Sequence, residues 1–316
     1  MIRIQNNNES KSIPLEGMRL IERDEYLRFI KIHDSVKIEN VTVKLNSNWS
    51  IKKYQPDNYR TEEWTVWSFP NRGDWATHSG NYRGNWSPYI PRNLIDKFTK
   101  PGDLVLDPMV GSGTTLVECK LMQRNCIGVD INLNAIMVSF NRQDFRYNPL
   151  DESYTDPKIR LYEGDARNLN LLEDESIDLI ATHPPYAGII SYSKSSIKGD
   201  LSSLKIEDYI TEMRKVAKEL FRVLKPGKHC AILIGDTRKH QHYIPINVAI
   251  LSLFLDAGFV LKEDIIKIQH NTKSTREKWG GSNYNFYKIA HEHLYIFRKL
   301  LPDEKLKDFK YSSRWW

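Results

Sequence analysis

Cysteine is scarce in this 316-residue chain, and what there is falls at Cys119, Cys126 and Cys230 with no C-x-x-C spacing. That argues against both a disulfide framework and a zinc site. No run of 18 or more apolar residues occurs, which argues against a membrane-spanning helix. The opening residues, Met1-Ile-Arg-Ile-Gln-Asn-Asn-Asn8, lack the apolar centre of a secretion signal, so a cytoplasmic location is expected. There is no internal repeat and no low-complexity linker. Charge of one sign is not extreme either. The formal net charge of +6 is compatible with a polyanionic partner without identifying one.

What is present is enough apolar material, 40% of residues with 11% aromatic, to bury the core of one large α/β domain and a smaller appendage. Residues 1–60 are polar and weakly patterned, with one strand expected around Val41–Leu45. They read as an N-terminal extension packed on a main domain spanning 61–316. From Trp64 to Trp86 the composition shifts to Trp, Gly, Asn and Arg without helical or strand period, which suits loops lining a surface cleft. A short helix over Tyr89–Phe98 follows, with Pro91 near its first turn. Then strands and helices alternate. Strands are expected at Leu104–Leu106, Cys126–Asp130, Ile159–Tyr162, Ile177–Thr182 and His229–Ile234. Helices are expected at Thr114–Arg124, Leu133–Asn141, Ile206–Leu224 and Ile244–Ala257. This repetition predicts a doubly wound, mostly parallel α/β sheet, closed by an antiparallel hairpin of Val260–Ile268 and His293–Phe297.

In such a sheet, ligands sit at the carboxyl ends of the strands where the strand order switches. Asp107-Pro-Met-Val-Gly-Ser-Gly-Thr-Thr115 lies at one such end. Gly111 and Gly113 allow a tight turn and close backbone approach. The Gly-Lys-Ser/Thr ending of a phosphate loop is missing, and so is the G-x-G-x-x-G of dinucleotide enzymes. Asp107 offers a carboxylate to a ligand's amino group. Asp130 ends the next strand, where an acid can hold ribose hydroxyls, and Asp165 after the third can accept from an adenine amine. Taken singly, each acid is as well explained as a turn residue or cap. Three together fit a neutral nucleoside with an ammonium tail and would repel a pyrophosphate. S-adenosylmethionine is such a ligand.

About 70 residues later, Ala181-Thr-His-Pro-Pro-Tyr186 ends another apolar strand at a stiff tip. An exocyclic amine is a poor nucleophile because its lone pair is delocalised into the base. Two hydrogen-bond acceptors draw the nitrogen toward tetrahedral geometry, and alignment with a sulfonium methyl does the rest. A side-chain acceptor followed by a proline carbonyl supplies both bonds. An aromatic next in line stacks on a base taken out of the helix.

Together, in this order and spacing, the two motifs resemble those of the S-adenosylmethionine-dependent DNA amino-methyltransferases that act on cytosine N4 or adenine N6. The likeness runs from roughly His78 to Lys299, and includes Leu220-Phe-Arg-Val-Leu-Lys-Pro-Gly227, which is similar to the closing unit of that fold. It implies a class I methyltransferase (Rossmann-like) architecture and S-adenosylmethionine as cofactor. It implies cofactor contacts from Asp107, Pro108, Met109, Gly111, Gly113, Thr114, Asp130 and Asp165. The catalytic group would be His183, Pro184, Pro185 and Tyr186, with no metal. His183 departs from the family's usual Asp, Asn or Ser. A neutral imidazole can accept one hydrogen bond and receive a proton. Thr182 tilts the choice of base slightly to cytosine.

The implied substrate is double-stranded DNA, with a restriction endonuclease as a partner, no membrane, and an oligomeric state left open. Gln269–Trp279, within a candidate recognition loop at 269–288, mixes cations, amides and an aromatic suited to phosphates and base edges. Arg72, Tyr82, Arg83 and Trp86 are further candidates for such contacts. His240 with His242, and His291 with His293, have H-x-H spacing but no third ligand, and read as ordinary histidines. Two other readings stay open. One is an RNA methyltransferase of the tRNA guanine-N2 kind, and the other a silent nucleic-acid-binding subunit that has lost its acceptor residue.

Overall fold

All six residues of the strand Ile177–Thr182 are buried, the signature of a strand covered by helices on both faces. The computed structural model describes residues 17–38, 41–45, 48–82, 84–149, 154–186, 197–270 and 285–313. Within them the chain forms β1 (Arg19–Ile21), α1 (Arg23–Ile32), β2 (Ser35–Ile38), β3 (Val41–Lys44), β4 (Val66–Ser68), α2 (Tyr89–Phe98), β5 (Leu104–Asp107), α3 (Thr114–Leu121), β6 (Asn125–Asp130), α4 (Leu133–Gln143), β7 (Ile159–Glu163), β8 (Ile177–Thr182), α5 (Ile206–Val223), β9 (Leu224–Ile234), β10 (Thr237–Lys239), β11 (His242–Ile244), α6 (Ile246–Asp256), β12 (Val260–Ile268) and β13 (His291–Arg298).

Nine strands form one mixed sheet in the order β1-β7-β6-β5-β8-β9-β13-β12-β4. The strands β5 to β9 run parallel, and β13 pairs antiparallel with both β9 and β12. The fold is therefore the doubly wound α/β type with an antiparallel hairpin at its C-terminal side. Helices α1 to α4 pack on one face through Tyr26, Ile90, Leu94, Leu116 and Ile136. Helices α5 and α6 cover the other through Met213, Val216, Leu220, Ile250 and Phe254. From β5 the chain winds outward to β6 and β7, then returns to β8 on β5's other side. The crevice above the β5 and β8 ends is thus the switch point at which ligands bind in such sheets.

Several boundaries differ from those expected. Helix α3 ends at Leu121 instead of Arg124, because Gln123 turns into a left-handed conformation (φ 62°) and its carbonyl accepts from Gly102 N at 2.8 Å. Strand β9 starts at Leu224 and takes in Lys-Pro-Gly, with Gly227 turned into the left-handed region (φ 77°), where only His229 onward reads as a strand. Within the extension, Arg19–Ile21 is an outer strand of the main sheet, antiparallel to β7, while β2 and β3 form a separate hairpin. Strand β4 closes the opposite edge, parallel to β12.

Candidate active site

Strand β5 delivers Asp107 to the switch point only 3% exposed. The chain then turns through Pro108–Ser112 and enters α3. Gly113 caps that helix in the left-handed region (φ 79°), and a Cβ there would stand 3.2 Å from the Ser139 backbone, so both conformation and space call for glycine. Gly111 N donates to Asp130 Oδ2 at 2.9 Å, and Gly111 O accepts from Ser139 Oγ at 2.8 Å. The turn is thereby tied to the ends of β6 and α4.

The acids differ in their state. Burial pushes the Asp107 carboxyl up to about 7, against the pull of Thr115 Oγ1 at 2.5 Å and Met109 N at 3.3 Å. Asp130, at the end of β6, is raised to about 6 by burial, although Asn132 N and Gly111 N donate to it. Asp165 follows β7 and is claimed by Arg167, which donates from Nε at 2.8 Å to Oδ1 and from Nη2 at 2.5 Å to Oδ2. Arg167 also reaches Glu212 and the Gly199 carbonyl. Lone pairs remain on Asp165 for a further donor.

Strand β8 ends at Thr182 and hands the chain to His183-Pro-Pro-Tyr186. The Trp86 ring lies 6.1 Å from that of His183, nearly parallel to it, and Tyr186 meets the imidazole edge-on at 5.5 Å. A Cβ on Gly235 would stand 3.0 Å from the Tyr186 ring, so that glycine makes room for the tyrosine. His183 Nε2 lies 3.0 Å from Tyr186 Oη, which hydrogen-bonds Glu292 Oε1. Glu292 Oε2 is in turn 2.8 Å from Lys267 Nζ, its cross-strand neighbour. Burial lowers the His183 pKa to about 4 despite the nearby Glu292 charge, so the imidazole is neutral. Its Nδ1 is buried without a hydrogen-bond partner among the described residues.

A single cleft is lined by His183, Pro184, Pro185, Tyr186, Asp107, Pro108, Met109, Gly111, Thr114, Asp130 and Asp165. Of the twelve catalytic and cofactor-binding residues expected from the sequence, Gly113 alone does not line it. The Trp-rich segment adds Tyr82, Gly84, Asn85 and Trp86 to the lining, but its other members do different work. Trp75 is fully buried, donating to Glu118, and Trp64 is 77% exposed. Arg72 does not present itself to a partner. It donates to the Asn85 and Trp86 carbonyls at 3.1 and 2.5 Å and so shapes this loop. Arg83 and residues 271–284 of the candidate recognition loop lie outside the described residues. No local pattern points to Glu292, which comes to Tyr186 from 106 residues away.

The described residues contain no group of three or more His, Cys, Asp or Glu placed to hold a metal ion, and no helix long and apolar enough to cross a membrane.

A family model described as DNA methylase matches residues 3–141 and 177–312, and one described as RMKL-like, methyltransferase domain, matches 98–204. Over 180 residues the chain is 30% identical to the Type II methyltransferase M.MthZI of Methanothermobacter thermautotrophicus, covering 50% of each. It is 29% identical over 224 residues to the tRNA (guanine(10)-N2)-dimethyltransferase of Methanocaldococcus jannaschii, covering 62% of this chain and 59% of the relative. Against the Type II beta methyltransferase M.BslI of a Bacillus species it is 28% identical over 171 residues, which is 50% of this chain and 18% of the relative. The chain thus spans less than two thirds of the length of these relatives.

Proposed function

The chain belongs to the DNA methylase family, and from that premise we propose that it transfers a methyl group from S-adenosylmethionine to an exocyclic amine of double-stranded DNA. Cytosine N4 is favoured over adenine N6 because Thr182 precedes the catalytic tip. One observation carries the reading. The acid-lined turn after β5 and the His-Pro-Pro-Tyr tip after β8 open into the same cleft at the switch of strand order.

The residues present suit the cofactor. The buried Asp107 carboxyl, with its raised pKa, is short of positive charge, which an ammonium group relieves, and Asp130, raised as well, is short of donors, which ribose hydroxyls supply. Thr114 Oγ1 is buried in the same wall without a partner among the described residues, a donor and acceptor left for a ligand. Asp107, Pro108, Met109, Gly111 and Thr114 would cradle the amino-acid end, Asp130 the ribose and Asp165 the adenine. Gly113 shapes the turn from behind. Bound there, the cofactor supplies a methyl group on a sulfonium centre.

The catalytic tip then has three tasks. His183 and the Pro184 carbonyl accept the two N–H bonds of the amine, freeing its lone pair. Tyr186 offers a ring face to the base. Once methylated, the amine nitrogen would be strongly acidic, and the neutral imidazole of His183 would take its proton. Residues 61–316 form the catalytic domain, with 269–288 as the loop that reads DNA and 1–60 as an extension. The setting is the cytoplasm, with a restriction endonuclease as partner.

The test is incubation with S-adenosylmethionine and unmethylated genomic DNA, digestion to nucleosides and mass spectrometry. N4-methylcytosine or N6-methyladenine is the expected product. A second reading, tRNA guanine-N2 methylation, draws on the relative from Methanocaldococcus jannaschii. Modified guanosine in a parallel tRNA incubation, with unmodified DNA, would replace the first reading by the second.

A further inference from the structure

Glu292 is a carboxylate at the cleft that the transfer reaction does not touch. It stands on β13, only 5% exposed. Burial alone would raise its pKa. The Lys267 ammonium and the hydrogen bond from Tyr186 hold it below the ordinary value, so it is ionised. An ionised carboxylate only accepts hydrogen bonds. The hydroxyl of Tyr186 must therefore donate its single proton to Glu292 Oε1. Its oxygen is left to accept, and the group it faces at 3.0 Å is His183 Nε2. In a neutral imidazole that places the ring proton on Nε2 and leaves Nδ1 bare. Nδ1 is the ring nitrogen left without a partner among the described residues.

Covalent geometry gives this a consequence. Nδ1 is bonded to Cγ, as the Oδ of an asparagine or aspartate is. It therefore stands at the position from which such a residue would accept. A buried acceptor with no partner costs about 1–3 kcal/mol, which an incoming N–H would recover. Resting on the amino-methyltransferase reading of the cleft, we propose that Glu292 is a positioning residue. Through the Tyr186 hydroxyl it fixes His183 as the Nε2–H tautomer and keeps Nδ1 an acceptor for the substrate amine. The competing arrangement is a proton on Nδ1. The Gly84 backbone faces the ring and favours protonation without reaching hydrogen-bond geometry. A proton there would meet the amine with a donor and close the site.

The tautomer can be read directly. Long-range proton–nitrogen correlation NMR on protein labelled at its histidine rings, with His183 assigned by its loss in His183→Asn, distinguishes Nε2–H from Nδ1–H. The expected spectrum shows Nε2 protonated and Nδ1 bare at neutral pH. The ratio of the two tautomers should fall by about tenfold, the effect of one lost hydrogen bond, in Glu292→Gln and in Tyr186→Phe. A proton on Nδ1 in the native protein, or an unchanged ratio in both variants, overturns the proposal. Kinetics add a second reading. The loss of kcat caused by Glu292→Gln should be much smaller in a His183→Asn background, whose carboxamide oxygen accepts without needing a tautomer. The same loss in both backgrounds would mark Glu292 as merely structural. The expected tautomer with no methylated DNA would instead sink the functional reading and leave the relay standing.

Discussion

Cofactor affinity should depend steeply on pH, in the direction opposite to acid activation. Asp107 and Asp130 have carboxyls raised by burial to about 7 and about 6. In the folded protein without ligand, each group resists ionisation, so stability falls as the pH rises from the ordinary carboxylate range through those values. For Asp107 the rise of roughly three units corresponds to about 4 kcal/mol. A ligand ammonium at Asp107 and ribose hydroxyls donating to Asp130 offset that penalty, and binding below pH 7 must then expel protons. If the carboxylate forms bind, moving from pH 7.5 to 5.5 weakens affinity by about 25-fold through Asp107 and by about fourfold more through Asp130. Over that window an α-amino group stays largely protonated, so the ligand contributes little to the change. Isothermal titration calorimetry with S-adenosylmethionine across this range, repeated in two buffers of different ionisation enthalpy, measures both the slope and the protons released. In Asp107→Asn the steeper component should vanish. An affinity that changes less than about threefold in the native protein would refute the reasoning, as would an identical slope in Asp107→Asn.

His183→Ala should abolish turnover while cofactor affinity stays within about threefold; equal loss of both, by calorimetry and product mass spectrometry, would show that the catalytic residue is misplaced. At saturating cofactor, kcat should stay flat from pH 7.5 down to about 5, since burial has lowered His183 to about 4 among Glu292, Lys267 and Arg72. A fall with a midpoint near 6.5 would contradict that state. Glu118→Ala removes from α3 a fully buried carboxylate that accepts from Trp75 Nε1 at 2.7 Å and Arg92 Nη1 at 2.8 Å and meets His78 Nε2 at 2.6 Å. With Arg92 left uncompensated, the variant should lose about 3–5 kcal/mol in urea denaturation, and a loss under about 1 would refute the role given to this cluster.

The β-α alternation was readable because parallel strands covered on both faces are apolar over most of their length, as Ile177–Thr182 is apart from Asp178 and Thr182. The turn after Asp107 was readable because its glycines are backbone requirements that few other residues meet. Edge strands were not. Strand β1 buries only Ile21 and β4 only Trp67, so neither carries a pattern, and both exist through pairing with partners far along the chain. Helix α1 fully buries only Tyr26 among its ten residues, with Leu27, Phe29 and Ile30 partly buried beside it, so its stripe of Tyr26, Phe29 and Ile30 is short. Arg72 reads as a surface cation in the sequence. Only the folded loop supplies the two carbonyls that occupy it. Glu292 has no local signal, because its meaning arises from the β12–β13 pairing and from a tyrosine on another strand end.

Those distant pairings also set an order of events. Arg19 lies opposite Glu163, and Val66 opposite Ile266, so each outer strand closes a loop of well over a hundred residues for three residues of ladder. Loop closure of that length yields little until the inner strands already stand in place. On a ribosome β1 and β4 emerge early and find no partner strand until β7 and then β12 have been made. The sheet is therefore seeded at its centre and sealed at its borders last, the cleft taking shape before its outermost strands are pinned.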